Sequence, residues 1–115
     1  MKYMLLLNTS ESADANMNEA QMRDLFAAYT SYTEALRNAN VYVDSNRLRP
    51  VANATTIRVA NGKTQVLNGP YAEAKEQLGG YFLIDAPDLD AALAWAARCP
   101  SASHGAVEVR PVWQM

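Results

Sequence analysis

Asn68-Gly69-Pro70-Tyr71-Ala72-Glu73-Ala74-Lys75-Glu76-Gln77-Leu78-Gly79-Gly80-Tyr81-Phe82-Leu83-Ile84-Asp85 is the stretch whose reading decides the fold. A turn, a short charged segment and a double glycine lead into Tyr81–Ile84, an apolar run bounded by turn signals, which reads as a core strand. The double glycine either ends a preceding helical turn or lets another backbone or a ligand approach closely. A second such strand, Lys2–Asn8, opens the chain, and Tyr3 to Leu7 are all apolar. Alternate side chains of a strand point to opposite faces, so Tyr3, Leu5 and Leu7 share one face and Met4 and Leu6 the other. Both faces carry apolar groups, unlike an antiparallel sheet with one wet face.

Outward from these strands, residues 8–18 form a polar stretch without periodicity and read as a loop. Glu19 to Ala39 reads as an amphipathic helix, with Met22, Leu25, Phe26, Tyr29, Tyr32 and Leu36 at the spacing of one face. Asn18 with Gln21 resembles a capping box, and Asn40 suits a left-handed C-terminal cap. Val41–Val43 starts a second extended stretch that continues to Pro50. Asn61-Gly62 between Thr55–Ala60 and Lys63–Leu67 is a strong hairpin signal, because both turn residues need positive φ. It sets Ile57 opposite Val66 and Val59 opposite Thr64. Asp88 caps a helix over Leu89–Arg98, with Leu89, Ala92, Leu93 and Ala96 as its inner stripe. Val107–Trp113 closes the chain.

This order predicts an α+β fold: a ferredoxin-like sandwich, with an antiparallel sheet and two helices on one face. Two helices cover only that face. At about 25 cal/mol per Å2, leaving Leu and Phe side chains bare on the other would forgo several kcal/mol. A homodimer, in which a second copy covers the bare face, is therefore expected.

The 115 residues suit a single domain spanning 1–115. A net charge of −2, with both signs interspersed, gives no basic stripe and argues against a nucleic-acid partner. No run approaches the roughly 20 apolar residues of a membrane span, and no secretory leader is apparent, so a cytoplasmic location is expected. Cys99 is the sole cysteine, which excludes an internal disulfide and a cysteine metal cluster. No Gly-rich phosphate loop, Gly-x-Ser-x-Gly elbow or spaced ligand cluster is present, so no cofactor or metal is expected.

The candidate site residues are Glu108, Arg110, Arg47, Asn68 and Tyr71. If Val107 and Val109 meet the helices, Glu108 and Arg110 point to the open face. A charged pair on a covered face must be paired or must meet a charge. A pocket between sheet and partner follows; the plain alternative is a partly solvated ion pair at the sheet edge. Glu108 is the one candidate general base, a role that would need burial of its carboxylate against the opposing effect of Arg110. Arg47 and Arg110 are candidate anchors for a small anionic or polar ligand, through their planar guanidinium forks. For Arg47 the alternative is an ion pair with Asp44 or a partner's acid. Asn68 and Tyr71 offer amide and hydroxyl donors at a pocket rim, or simply belong to the turn that ends a strand. His104, the sole histidine, reads as a solvated loop residue, and Tyr29 and Tyr32 read as core or interface aromatics.

The stretch 68–84 resembles the signature of the YCII-related proteins, in the branch named the DGPF domain. Val107-Glu108-Val109-Arg110-Pro111-Val112 is similar to that branch's closing motif. Asp44-Ser45-Asn46-Arg47-Leu48 and Thr55-Thr56-Ile57-Arg58 are similar to its middle section. The resemblance implies a ferredoxin-like fold that dimerises as an α/β barrel. It also implies a family suspected of enzymatic function through a His–Asp pair in some members, and associated with extracytoplasmic-function sigma factors in others. Two departures matter. Asn68 replaces the Asp that begins the family motif, and an amide cannot act as a general base. No histidine lies in the first half of the chain, so the His–Asp pair does not carry over. Two readings follow: a small-molecule-binding homodimer, with or without catalysis, and a non-catalytic regulatory or sensing module.

Overall fold

A computed structural model describes residues 1–114. Its elements in chain order are β1 (Lys2–Thr9), α1 (Glu11–Asp14), α2 (Glu19–Asn38), β2 (Tyr42–Arg47), β3 (Thr55–Ala60), β4 (Lys63–Asn68), β5 (Gln77–Asp85), α3 (Leu89–Arg98) and β6 (Ala106–Pro111). Short 3-10 turns lie at Val51–Asn53 and Pro100–Ser103. Four strands form one antiparallel sheet in the order β2-β5-β1-β6. With α2 and α3 this is the split βαβ, ferredoxin-like arrangement, and β3–β4 is a separate ribbon inserted between its second and third strands.

Local chemistry places the helix ends. Asn18 accepts from the Gln21 amide at 2.8 Å, while the Gln21 side chain accepts from the Asn18 amide at 3.0 Å. Asn40 has φ of 59°, ending α2 in the left-handed region. Asp88 accepts from the Ala91 amide at 2.9 Å and starts α3. The core lies between sheet and helices: Tyr3, Leu5, Leu7, Phe82 and Ile84 face Tyr32 and Leu36 of α2 and Ala92 and Ala96 of α3. Tyr32 packs edge-on to Phe82, with ring centroids 5.2 Å apart, and donates its hydroxyl proton to the Trp95 carbonyl at 2.7 Å. Both long helices thus occupy one face.

Four details differ from the sequence reading. Residues 8–18 are not all loop: Ser10 caps the one-turn α1 by accepting from the Ala13 amide. The double glycine ends no helical turn; β5 begins at Gln77 and runs through it. A Cβ on Gly80 would stand 2.7 Å from the Asn46 carbonyl oxygen, so glycine is what lets β2 close on β5. The buried stripe of α3 is Ala92 and Ala96 with Ala91 and Trp95 beside it, while Leu89 and Leu93 are exposed. Small alanines bring the helix close to the sheet and turn the leucines outward. The last strand stops at Pro111, before the exposed Trp113.

The ribbon obeys its turn. Asn61 and Gly62 both have positive φ, and Ile57 pairs with Val66 and Val59 with Thr64. Every residue of β3 and β4 except Thr56 is exposed. The radius of gyration is 16.2 Å, against roughly 13 Å for a compact chain of this length. The principal extents of 48 × 44 × 18 Å describe a thin sandwich with a projecting arm.

Candidate functional site

Strand register composes the helix-free sheet face from two rows. One is Asp44, Leu83, Met4 and Arg110; the other is Asn46, Tyr81, Leu6 and Glu108. The middle of each row is apolar and half-buried, and the edges are polar. On one edge Tyr81 donates its hydroxyl proton to Asp44 at 3.1 Å and accepts from the Asn46 amide at 2.8 Å. On the other, Arg110 Nε lies 3.8 Å from Glu108 Oε2, with the two side chains 70% and 59% exposed. A pair this solvated contributes at most about 1 kcal/mol. The burial that a basic Glu108 needs is not supplied within one chain.

A cavity of about 630 Å3 lies on the opposite side, between the sheet and the N-terminal half of α2. Its floor is Leu7, Gly80 and Phe82; its α2 wall is Met22, Leu25, Phe26 and Tyr29. Glu11 and Asp14 enter from α1, Arg47 from the end of β2, and Ser101 and His104 from the segment before β6. The bulge between Leu7 and Asn8 and the glycines opposite it occur where the sheet borders this cavity.

Hydrogen bonds hold its polar wall. The Glu11 carboxylate accepts the Val51 amide at 3.0 and 3.3 Å, and the Glu11 amide donates to the Gln77 side chain at 2.9 Å. Thr9 donates its hydroxyl proton to Asp14 Oδ2 at 3.1 Å. The Arg47 guanidinium stands over the Phe26 ring, 5.4 Å from its centroid. Tyr29 and the fully buried Ser101 share a hydrogen bond between their hydroxyls. Burial pushes the Tyr29 hydroxyl above its ordinary pKa, and the bond to Ser101 works against that shift. The buried Cys99 thiol is likewise pushed up by desolvation, which makes it a packing group rather than a nucleophile.

The candidates from the sequence fall in three places. Arg47 lines the cavity, and Glu108 and Arg110 pair on the opposite face. Asn68 ends β4 opposite Thr55, at the base of the ribbon. Tyr71 is exposed there, with the Arg58 guanidinium 5.9 Å from its ring centroid. Sequence reasoning missed Glu11, Asp14, Tyr29 and Ser101. One signal was available: Ser10-Glu11-Ser12-Ala13-Asp14 has the capping serine and first-turn acids of a helix start. Among the described residues no three His, Cys, Asp or Glu side chains gather as a metal site, and no helix is long and apolar enough to cross a membrane.

An uncharacterized protein of Rhizobium meliloti (strain 1021) is 41% identical over 118 residues, an alignment covering 97% of this chain and 92% of that relative. The YCII-related domain, as a family sequence model, matches residues 1–115, strand β1 through the closing segment. Its full-length match, the relative's near full-length identity and the ferredoxin-like sheet order agree: the chain belongs to the YCII-related family.

Proposed function

We propose that this protein is a small-molecule-binding homodimer, its ligand held in the cavity between α1, α2 and the sheet. The cavity carries the reading. It combines an apolar floor with a few convergent polar groups, and its volume falls within the roughly 300–1,000 Å3 of small-ligand sites. Binding without turnover is favoured, because both carboxylates already accept hydrogen bonds from the chain and, among the described residues, no acid orients His104 as a base. A sensing module, in which occupancy is the signal, fits this arrangement.

The second copy is supported by the helix-free face, whose Met4, Leu6, Tyr81 and Leu83 have no helix above them, and by the arm. Ile57, Val59 and Val66 share one face of the β3–β4 ribbon and are 63%, 68% and 64% exposed. An isolated two-stranded ribbon is marginal in water. A partner covering these surfaces would enclose the Glu108–Arg110 pair, and its desolvation cost requires that the pair stay closed or meet complementary partner charges.

A thermal-shift screen of small anions, cations and zwitterions tests the site. Stabilisation should be lost in Arg47→Ala and kept in Arg110→Ala. The reverse pattern would move the site to the open sheet face, and no shift from any compound would count against binding altogether.

A further inference from the structure

We propose that the cavity takes an α-amino acid with an apolar side chain: its carboxylate on Arg47, its ammonium on Asp14, and its side chain between Phe26 and Phe82. The proposal rests on reading the cavity as a ligand site and adds the ligand's class. Three charged side chains line the cavity: Glu11, Asp14 and Arg47. Glu11 spends both oxygens on the Val51 amide. Asp14 commits only Oδ2, to Thr9, so Oδ1 holds no hydrogen bond among the described residues. Arg47 makes no ion pair or side-chain hydrogen bond among them; it only stands over Phe26. One anchor of each sign is therefore open. A simple anion on Arg47 would also face two carboxylates, and a simple cation would be opposed by Arg47. A molecule carrying both charges satisfies both anchors.

The two anchors act on one region. Both line the same cavity, Asp14 from α1 and Arg47 from the end of β2, with Tyr29 lining it from α2. Leu7, Met22, Leu25 and the two phenylalanines supply apolar surface for the rest of the molecule. Such sites are mostly apolar, with few polar groups fixing orientation.

Isothermal titration of the full chain with three probes sharing one ring tests this: L-phenylalanine, 3-phenylpropionate and 2-phenylethylamine. Phenylalanine should bind roughly tenfold or more tightly than either analogue, the scale of one charge-assisted hydrogen bond. Arg47→Met should erase the preference over phenylethylamine. Asp14→Asn, which keeps an acceptor for Thr9, should erase the preference over phenylpropionate. Equal binding of all three probes, or a preference that survives both substitutions, overturns the proposal. If phenylpropionate alone binds and Arg47→Met abolishes it, the ligand site stands and the zwitterion falls. If nothing binds the folded protein at millimolar concentration, both fall.

Discussion

Gly80→Ala and Gly79→Ala should behave oppositely, although the residues are neighbours in one strand. A Cβ on Gly80 would lie 2.7 Å from the Asn46 carbonyl oxygen and 3.3 Å from the Arg47 Cα, both backbone atoms that can yield only if β2 moves. A Cβ on Gly79 would meet nothing nearer than the Thr9 hydroxyl at 3.7 Å, an ordinary contact. Overpacking of this kind costs about 1–3 kcal/mol. With an unfolding entropy of about 2.1 cal/mol/K per residue, each kcal/mol lowers Tm by roughly 4 °C in a chain of this length. Gly80→Ala should therefore melt roughly 4–12 °C lower. Gly79→Ala should melt at or slightly above the parent, since alanine loses less backbone entropy on folding. Because β2 carries Arg47, Gly80→Ala should also weaken whatever the cavity binds. Differential scanning calorimetry reads the first effect and titration the second. Equal melting of the two variants would refute the close-approach argument.

Other consequences follow from the same packing. Leu36→Ala, at a fully buried core position, should cost about 2–5 kcal/mol in urea unfolding with an unchanged m-value. The N-terminal ammonium, 2.8 Å from Asp85, holds that carboxyl below the usual carboxylate range. Its folded pKa is depressed, so its stabilising effect is present above the unfolded value and is lost as pH falls through the folded one. NMR titration should show the Asp85 midpoint rising toward the ordinary value when the N-terminus is acetylated. Cys99, buried and with a raised pKa, should react with a thiol reagent slowly in the native protein and rapidly in urea.

Where one local rule determines geometry, the sequence was readable. Asn61-Gly62 dictated a two-residue turn and hence the Ile57–Val66 pairing. Asn18 with Gln21, Asn40 and Asp88 marked helix ends through their own side chains or tolerance of positive φ. Alternation on β1 separated Leu5 from Leu6 before any packing was known. What required tertiary contacts was not readable. α1 is too short for periodicity, and the role of Gly80 depends on how near β2 comes. Leucine and alanine occur all around α3, leaving its inner face ambiguous. Arg47 was legible as a candidate anion anchor, with an ion pair to Asp44 or a partner's acid as the alternative, but Glu11, Asp14, Tyr29 and Ser101 acquire meaning only when β1, α2 and the segment before β6 converge.

Size exclusion with multi-angle light scattering at micromolar concentration bears most directly on the claim that a second copy covers the open sheet face. Twice the chain mass of 12.6 kDa is expected, falling to the single-chain mass in a folded Leu6→Glu variant. A wild-type protein of single-chain mass, with Leu6→Glu equally stable and unchanged in mass, would contradict it.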